Sequence, residues 1–106
     1  MPRYDRVIHD GMVVDGSGGP RYRADIAIAD GRIAEIGRID PADAAERIDA
    51  SGLVVAPGFI DLHTHYDAQV FWDPLCTLSG WHGITSVAIG NCGFGFAPVR
   101  PEMRER

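Results

Sequence analysis

His63 and His65 are separated by a single residue, and Cys92 follows at the end of a second apolar run. If Phe59 to His65 is a strand, alternate side chains leave one face, so both imidazoles share that face with Asp61 one step earlier. Two imidazoles placed this way can hold one metal ion. In the run Thr85 to Gly90, Val87 and Ile89 take the same outward role as Ile60 and Leu62. Ser86, Ala88, Gly90 and Cys92 fall on the other parity, so Cys92 is expected to leave its strand on the histidine side. Neutral imidazole and thiolate are both good ligands for Zn²⁺, and the predicted metal set is His63, His65 and Cys92. Asp61, one layer deeper, reads as a hydrogen-bonding partner rather than a ligand.

Each of these residues also has a plainer reading. A His-x-His pair on a strand is equally compatible with exposed or hydrogen-bonded imidazoles, and a lone buried cysteine usually packs. Asn91-Cys92-Gly93 reads as well as a simple turn. Asp67 follows His65 and could face the metal, but fits a solvated loop acid or a helix cap better, and His9 and His82, without partners in the pattern, read as structural. The metal reading gains from the joint placement of His63, His65 and Cys92 at successive strand ends, since a (β/α)8 barrel gathers its chemistry where its strands end.

The elements that must position these residues begin at Phe59. The stretch from Tyr66 to Ile84 is long enough for a crossover helix, predicted over Asp73 to His82, so strand, helix and strand form a βαβ unit with parallel strands. Before Pro57-Gly58 the chain reads as a small β module. Two short runs flank Asp10-Gly11 between Tyr4 and Val14, and two more flank Asp30-Gly31 between Asp25 and Ile39. Each pair is expected to be a hairpin, because Asp-Gly favours the positive φ angles of a tight turn. Ile26 and Ile28 share a face. Ile33 with Glu35, or Ala34 with Ile36, shows the looser alternation of a strand near an edge. Gly16 to Pro20 is a loop, Pro41 to Glu46 one helical turn, and Arg47 to Ala50 and Leu53 to Ala56 short strands around Ser51-Gly52. The tail from Pro98 to Arg106 reads as a loop entering a helix. The expected domains are residues 1–56 and residues 57–106.

Composition narrows the function. The 106 residues are 45% hydrophobic and 24% charged, an ordinary composition for one small domain's worth of chain. The net charge is -5, and all ten basic residues are arginines scattered singly, so no basic stripe exists to follow a phosphate backbone and nucleic acid is not an expected partner. Two cysteines, Cys76 and Cys92, are too few for a secreted disulfide framework. No apolar run suits a signal peptide or a membrane span. The expected location is the cytoplasm, with no membrane association.

Pro57-Gly58-Phe59-Ile60-Asp61-Leu62-His63-Thr64-His65 resembles the signature of the amidohydrolase superfamily, and Asp30-Gly31-Arg32-Ile33-Ala34-Glu35-Ile36-Gly37 resembles the hairpin of the β module that precedes it. Gly90-Asn91-Cys92-Gly93-Phe94-Gly95-Phe96-Ala97-Pro98-Val99-Arg100 is similar to the D-aminoacylase branch, the N-acyl-D-amino-acid deacylases. The resemblance implies a mixed β and α/β fold: half of the superfamily's β-sandwich, then the first βαβ of a (β/α)8 TIM barrel that is incomplete in this chain. It implies that His63 and His65 bind metal and that Cys92 is a ligand where related enzymes use a carboxylated lysine. The absence of lysine from this chain agrees with that cysteine variant. The remaining metal histidines and the proton-handling aspartate of the family are expected beyond Arg106.

These implications together describe the N-terminal part of a zinc-dependent hydrolase that splits N-acyl-D-amino acids, small molecules, into a carboxylate and a D-amino acid. The fragment alone is expected to be inactive and, with Ile60, Leu62, Val87 and Ile89 on uncovered faces, to self-associate or to need the remainder of the chain. The alternatives are a cyclic-amide hydrolase of the dihydropyrimidinase or dihydroorotase kind, and a non-catalytic metal-binding scaffold.

Overall fold

The computed structural model describes residues 2–93, 95 and 99–103. Phe94, Phe96, Ala97 and Pro98 of the cysteine segment, and residues 104–106 of the predicted tail helix, lie outside the described residues; between them Pro101–Met103 forms a 3-10 turn. The chain divides into two compact units, Met1–Pro57 and Gly58–Arg106. The first is an all-β unit, and the second holds the parallel β–α–β arrangement, so the fold is mixed as the sequence predicts.

In the first unit, β1 (Tyr4–Val13), β2 (Tyr22–Ala29), β3 (Arg32–Gly37) and β4 (Ala44–Asp49) form a sheet in the order β3-β2-β1-β4, with β5 (Val54–Val55) also paired to β1. Asp30-Gly31 makes the predicted hairpin between β2 and β3, with φ of 51° and 70°, the positive values that a tight turn between twisted strands demands. Asp10-Gly11 does not make one. It sits inside the single ten-residue strand β1 as a bulge, because Ile8 pairs with Ile26 while Gly11 pairs with Ala24, leaving one extra residue on β1. Asp10 takes a φ of 63°, and its N–H, turned out of the ladder, donates to Asp25 Oδ1 at 2.8 Å. Glycine is required next to it for space: a Cβ at Gly11 would lie 2.5 Å from Val55 Cγ2.

The bulges explain why the alternation looks loose. A second one, where Ala27 pairs with Glu35 but Ile28 with Ile33, leaves Ala34 as the extra residue on edge strand β3. Each extra residue flips the parity of the residues after it. Ile8 and Val13 on β1, and Ile33 and Ile36 on β3, therefore join Ile26 and Ile28 on one apolar face, where they line a common groove. On the opposite side Val7 and Ala27, paired with each other and fully buried, pack with Tyr4, Ile39 and Ala44.

The helical turn predicted over Pro41 to Glu46 is shorter, a 3-10 turn at Pro41–Asp43 capped by Asp40, whose carboxylate accepts from Ala42 N–H. Ala44 then enters β4, which runs parallel to β1.

In the second unit β6 (Phe59–Asp61) pairs in parallel with β7 (Ile84–Val87). The connection holds α1 (Tyr66–Gln69) and α2 (Thr77–Trp81) in place of one helix over Asp73 to His82. Pro74 and the left-handed Cys76, with a φ of 48°, interrupt the path, and Asp73 accepts the N–H and the hydroxyl of Thr77, the first residue of α2. Buried Tyr66 and Ser79 join the two helices through a 2.7 Å hydroxyl pair. Both strands are shorter than predicted. Their register sets Ile60 opposite Ser86 and Asp61 opposite Val87, so Val87 shares the face of Asp61 rather than that of Ile60. The cause is an irregularity at Thr85, which shifts the parity of β7 by one residue. Ile60, Leu62 and Ile89 are 66%, 67% and 62% exposed, and Val87 is half-buried.

Candidate metal centre

His63 and His65 stand beyond the end of β6, and Cys92 stands in a turn beyond the end of β7. Strand parity is therefore not what brings the donors together. The last backbone bond between the two segments runs from Ala88 N–H to Asp61 O at 2.8 Å. Past it the chain bends at Leu62 and His63, and Asp61 Oδ1 accepts the N–H of His63 at 3.1 Å, turning the backbone so that His63 departs from the strand direction.

Three side chains then take over from the ladder. Buried Thr64 donates through Oγ1 to Ala88 O at 2.7 Å, Asn91 Nδ2 donates to Leu62 O at 2.7 Å, and Gly90 N–H donates to Asp67 Oδ2 at 2.8 Å. None of the three bonds is expected from the sequence, which offers Asp67 only as a loop acid, a helix cap or a residue facing the metal. For Thr64 and Asn91 the available signal was their position, each next to a donor residue and each able to bond a carbonyl. Asp67 lies in the first turn of α1 without capping it, since the cap position is His65 and no side chain bonds there.

The result is a cluster in which the ligand atoms of His63, His65 and Cys92 all lie within 4.8 Å of one another. The imidazole centroids are 5.9 Å apart with planes inclined by 45°. Both histidines are exposed and Cys92 is half-buried. Tetrahedral Zn–N and Zn–S bonds of about 2.0 and 2.3 Å put two ligands of one ion about 3.3–3.5 Å apart, so rotation of the exposed rings must draw donors that lie within 4.8 Å together by up to about 1.5 Å to close on a single ion. Two neutral nitrogens and a sulfur suit zinc better than the hard, oxygen-seeking Mg²⁺ or Ca²⁺. Among the described residues this is the one group of three or more His, Cys, Asp or Glu side chains close enough to hold a metal.

The other residues weighed from the sequence fall elsewhere. Cys76 is the residue preceding α2 and is not part of the cluster. His82 bonds through Nδ1 to Leu78 O at 2.8 Å, and His9 lies in β1 opposite Asp49. In this unit the carboxyl of Asp73 is held below its ordinary value, first by the N–H and then by the hydroxyl of Thr77. No helix among the described residues is long and apolar enough to cross a membrane.

Comparison with known proteins gives this geometry a context. The amidohydrolase family matches residues 46–103. The chain is 50% identical over 97 residues to the N-acyl-D-glutamate deacylase of Alcaligenes xylosoxydans xylosoxydans, covering 92% of this chain and 20% of that protein. It is 45% identical over 96 residues to the D-aminoacylase of the same organism, covering 91% and 20%. Among solved structures, the N-acyl-D-glutamate deacylase of Bordetella bronchiseptica, complexed with zinc and a phosphonate that mimics the tetrahedral intermediate, matches with a TM-score of 0.85 at 45% identity, over 92% of this chain and 20% of that one. The chain thus spans about a fifth of the length of these relatives.

Proposed function

Because this chain belongs to the amidohydrolase family, we propose that it forms the N-terminal part of a zinc-dependent enzyme hydrolysing N-acyl-D-amino acids, with His63, His65 and Cys92 as metal ligands. The observation that carries the reading is the convergence of those three ligand atoms within 4.8 Å, from two segments that meet at the end of a parallel strand pair. Residues 1–56 serve as the β module and residues 57–106 as the opening of a (β/α)8 barrel, whose reactive end is where β6 and β7 finish.

Zinc, when bound, polarises an amide carbonyl and makes a water acidic enough to attack near neutral pH. The chain's own part is to present two neutral imidazoles and one thiolate. The thiolate adds a negative charge that an imidazole does not, and it fills a ligand position that no lysine in this chain can take. Asp61 and Asp67 each accept one backbone N–H through a single oxygen, from His63 and from Gly90 respectively. The resemblance to the deacylases supports assigning the proton transfer from water to the leaving amine to a carboxylate elsewhere in the whole enzyme. The similarity to two deacylases of N-acyl-D-amino acids supports a linear amide substrate over a cyclic one. The free cysteines support a cytoplasmic setting. The exposed Ile60, Leu62 and Ile89 support a need for covering by the rest of the chain or by another copy.

The test is an assay of the whole natural protein against N-acyl-D-amino acids, their L enantiomers and cyclic amides. Hydrolysis of the D compounds, lost on chelation and restored by zinc, is expected. Ring opening of cyclic amides without cleavage of the linear D substrates overturns the reading, as does turnover by the 106-residue chain alone, which supplies three metal donors.

A further inference from the structure

The three donors come from loops that share no ladder, so their spacing depends on the few bonds that tie the loops. Two of the ties, from Thr64 and Asn91, end on carbonyl oxygens of Ala88 and Leu62, close to where the ladder stops. The third reaches furthest along the first segment. Asp67, two residues past His65, holds the N–H of Gly90, two residues before Cys92, at 2.8 Å. Its base is firm, because Asp67 belongs to α1, whose neighbour Tyr66 is buried and bonded to Ser79. A carboxylate accepting a backbone N–H makes a stronger bond than a neutral acceptor does.

We propose that Asp67 is a positioning residue for the metal centre: by holding Gly90 N–H, its carboxylate sets Cys92 Sγ at the distance from His63 and His65 at which the three close on one ion. This rests on the reading of those three residues as ligands. It assigns Asp67 no contact with metal or substrate. Without the tie, the segment carrying Cys92 keeps only the Thr64 and Asn91 bonds and the ladder's last rung, and the thiolate's position spreads over a wider range that metal binding must narrow again. Outer partners of this kind are worth about 10–100-fold in metal affinity.

The experiment uses the whole natural protein stripped of metal and titrated with Co²⁺, whose sulfur-to-metal charge-transfer absorption reports thiolate ligation. The wild-type protein shows the band and Cys92→Ala does not. Asp67→Ala binds Co²⁺ about 10–100-fold more weakly. Asp67→Asn, whose amide oxygen still accepts from Gly90, recovers most of that loss. In the metal-free protein, amide exchange at Gly90 accelerates in Asp67→Ala while exchange at Asp61 and Val87 does not. Wild-type affinity in Asp67→Ala, an unchanged Gly90 exchange rate, or an Asn variant as weak as the Ala variant overturns the positioning role. Should Asp67→Ala fail to fold, the Asn variant with exchange at Gly90 still decides, because an intact bond with weakened binding contradicts the proposal. Absence of the charge-transfer band from the wild-type protein sinks the ligand assignment instead, so the two failures are distinct.

Discussion

Across Met1–Pro57, β1 bonds to β2 along one edge and to β4 and then β5 along the other, so nearly every residue of the central strand is placed by backbone hydrogen bonds. Within Gly58–Arg106, β6 and β7 meet over only a few residues, and the donors beyond them are placed by the side chains of Thr64, Asp67 and Asn91. A ladder tolerates exchange of many side chains because its bonds are common to all non-proline residues. Loops held by three particular side chains do not have that tolerance, but they can direct donors to a point that no strand face offers. The contrast teaches where substitutions act: in the first unit through packing, in the second through geometry at the site.

The sharpest way to break this contrast is Cys92→Ala set against Cys76→Ala in the whole protein. Cys92→Ala removes a thiolate that no neighbour replaces, so bound metal and turnover should fall by more than the about 10–100-fold that an outer partner is worth. Cys76→Ala should keep both. Metal analysis and steady-state rates decide, and equal losses in the two variants would end the assignment.

A smaller effect is expected in the first unit. Gly11→Ala drives a Cβ to 2.5 Å from Val55 Cγ2 and 3.3 Å from Ala50 Cβ, and overpacking of this kind costs about 1–3 kcal/mol. Gly37→Ala, with nothing within 4 Å of its new Cβ, should stay within about 0.5 kcal/mol. Denaturant titrations measure both. Metal content of the folded Gly11→Ala protein should be unchanged, and loss of metal there would erase the distinction drawn between the units.

The smallest effect concerns pH. Asp73 titrates below its ordinary value because its charged form accepts two bonds from Thr77, so those bonds at the start of α2 contribute stability above the unfolded-state value that is lost as the pH falls through the folded one. Asp73→Asn should slightly lower stability at neutral pH and flatten its decline in acid. Melts recorded from neutral to strongly acidic pH would show whether that slope changes.

Much of the fold was legible in the sequence, wherever a local rule sufficed. Asp30-Gly31 turns because both residues take positive φ, and β6 and β7 run parallel because the segment between them is too long for a hairpin and of crossover length. The bulge at Asp10 was not legible, since Asp-Gly satisfies a hairpin and a bulge equally well until Asp25 and Val55 arrive from elsewhere in the chain. The left-handed φ of Cys76, after which α2 starts only at Thr77, likewise has no local signature.

For the site itself, the sequence alone determined the chemical kind of each donor: two imidazoles one residue apart, a thiol near the next strand's end, and no lysine to compete. Those are covalent facts, independent of folding. Only the tertiary structure decided how the donors converge. Strand alternation does not reach His63, His65 and Cys92, because the strands stop short of them; their approach to within 4.8 Å follows from the register of β6 against β7 and from three side-chain bonds spanning 23 to 29 positions of sequence. Such bonds have no local signature, because the partner of a threonine, an asparagine or an aspartate is chosen by whichever backbone group the fold leaves unpaired beside it.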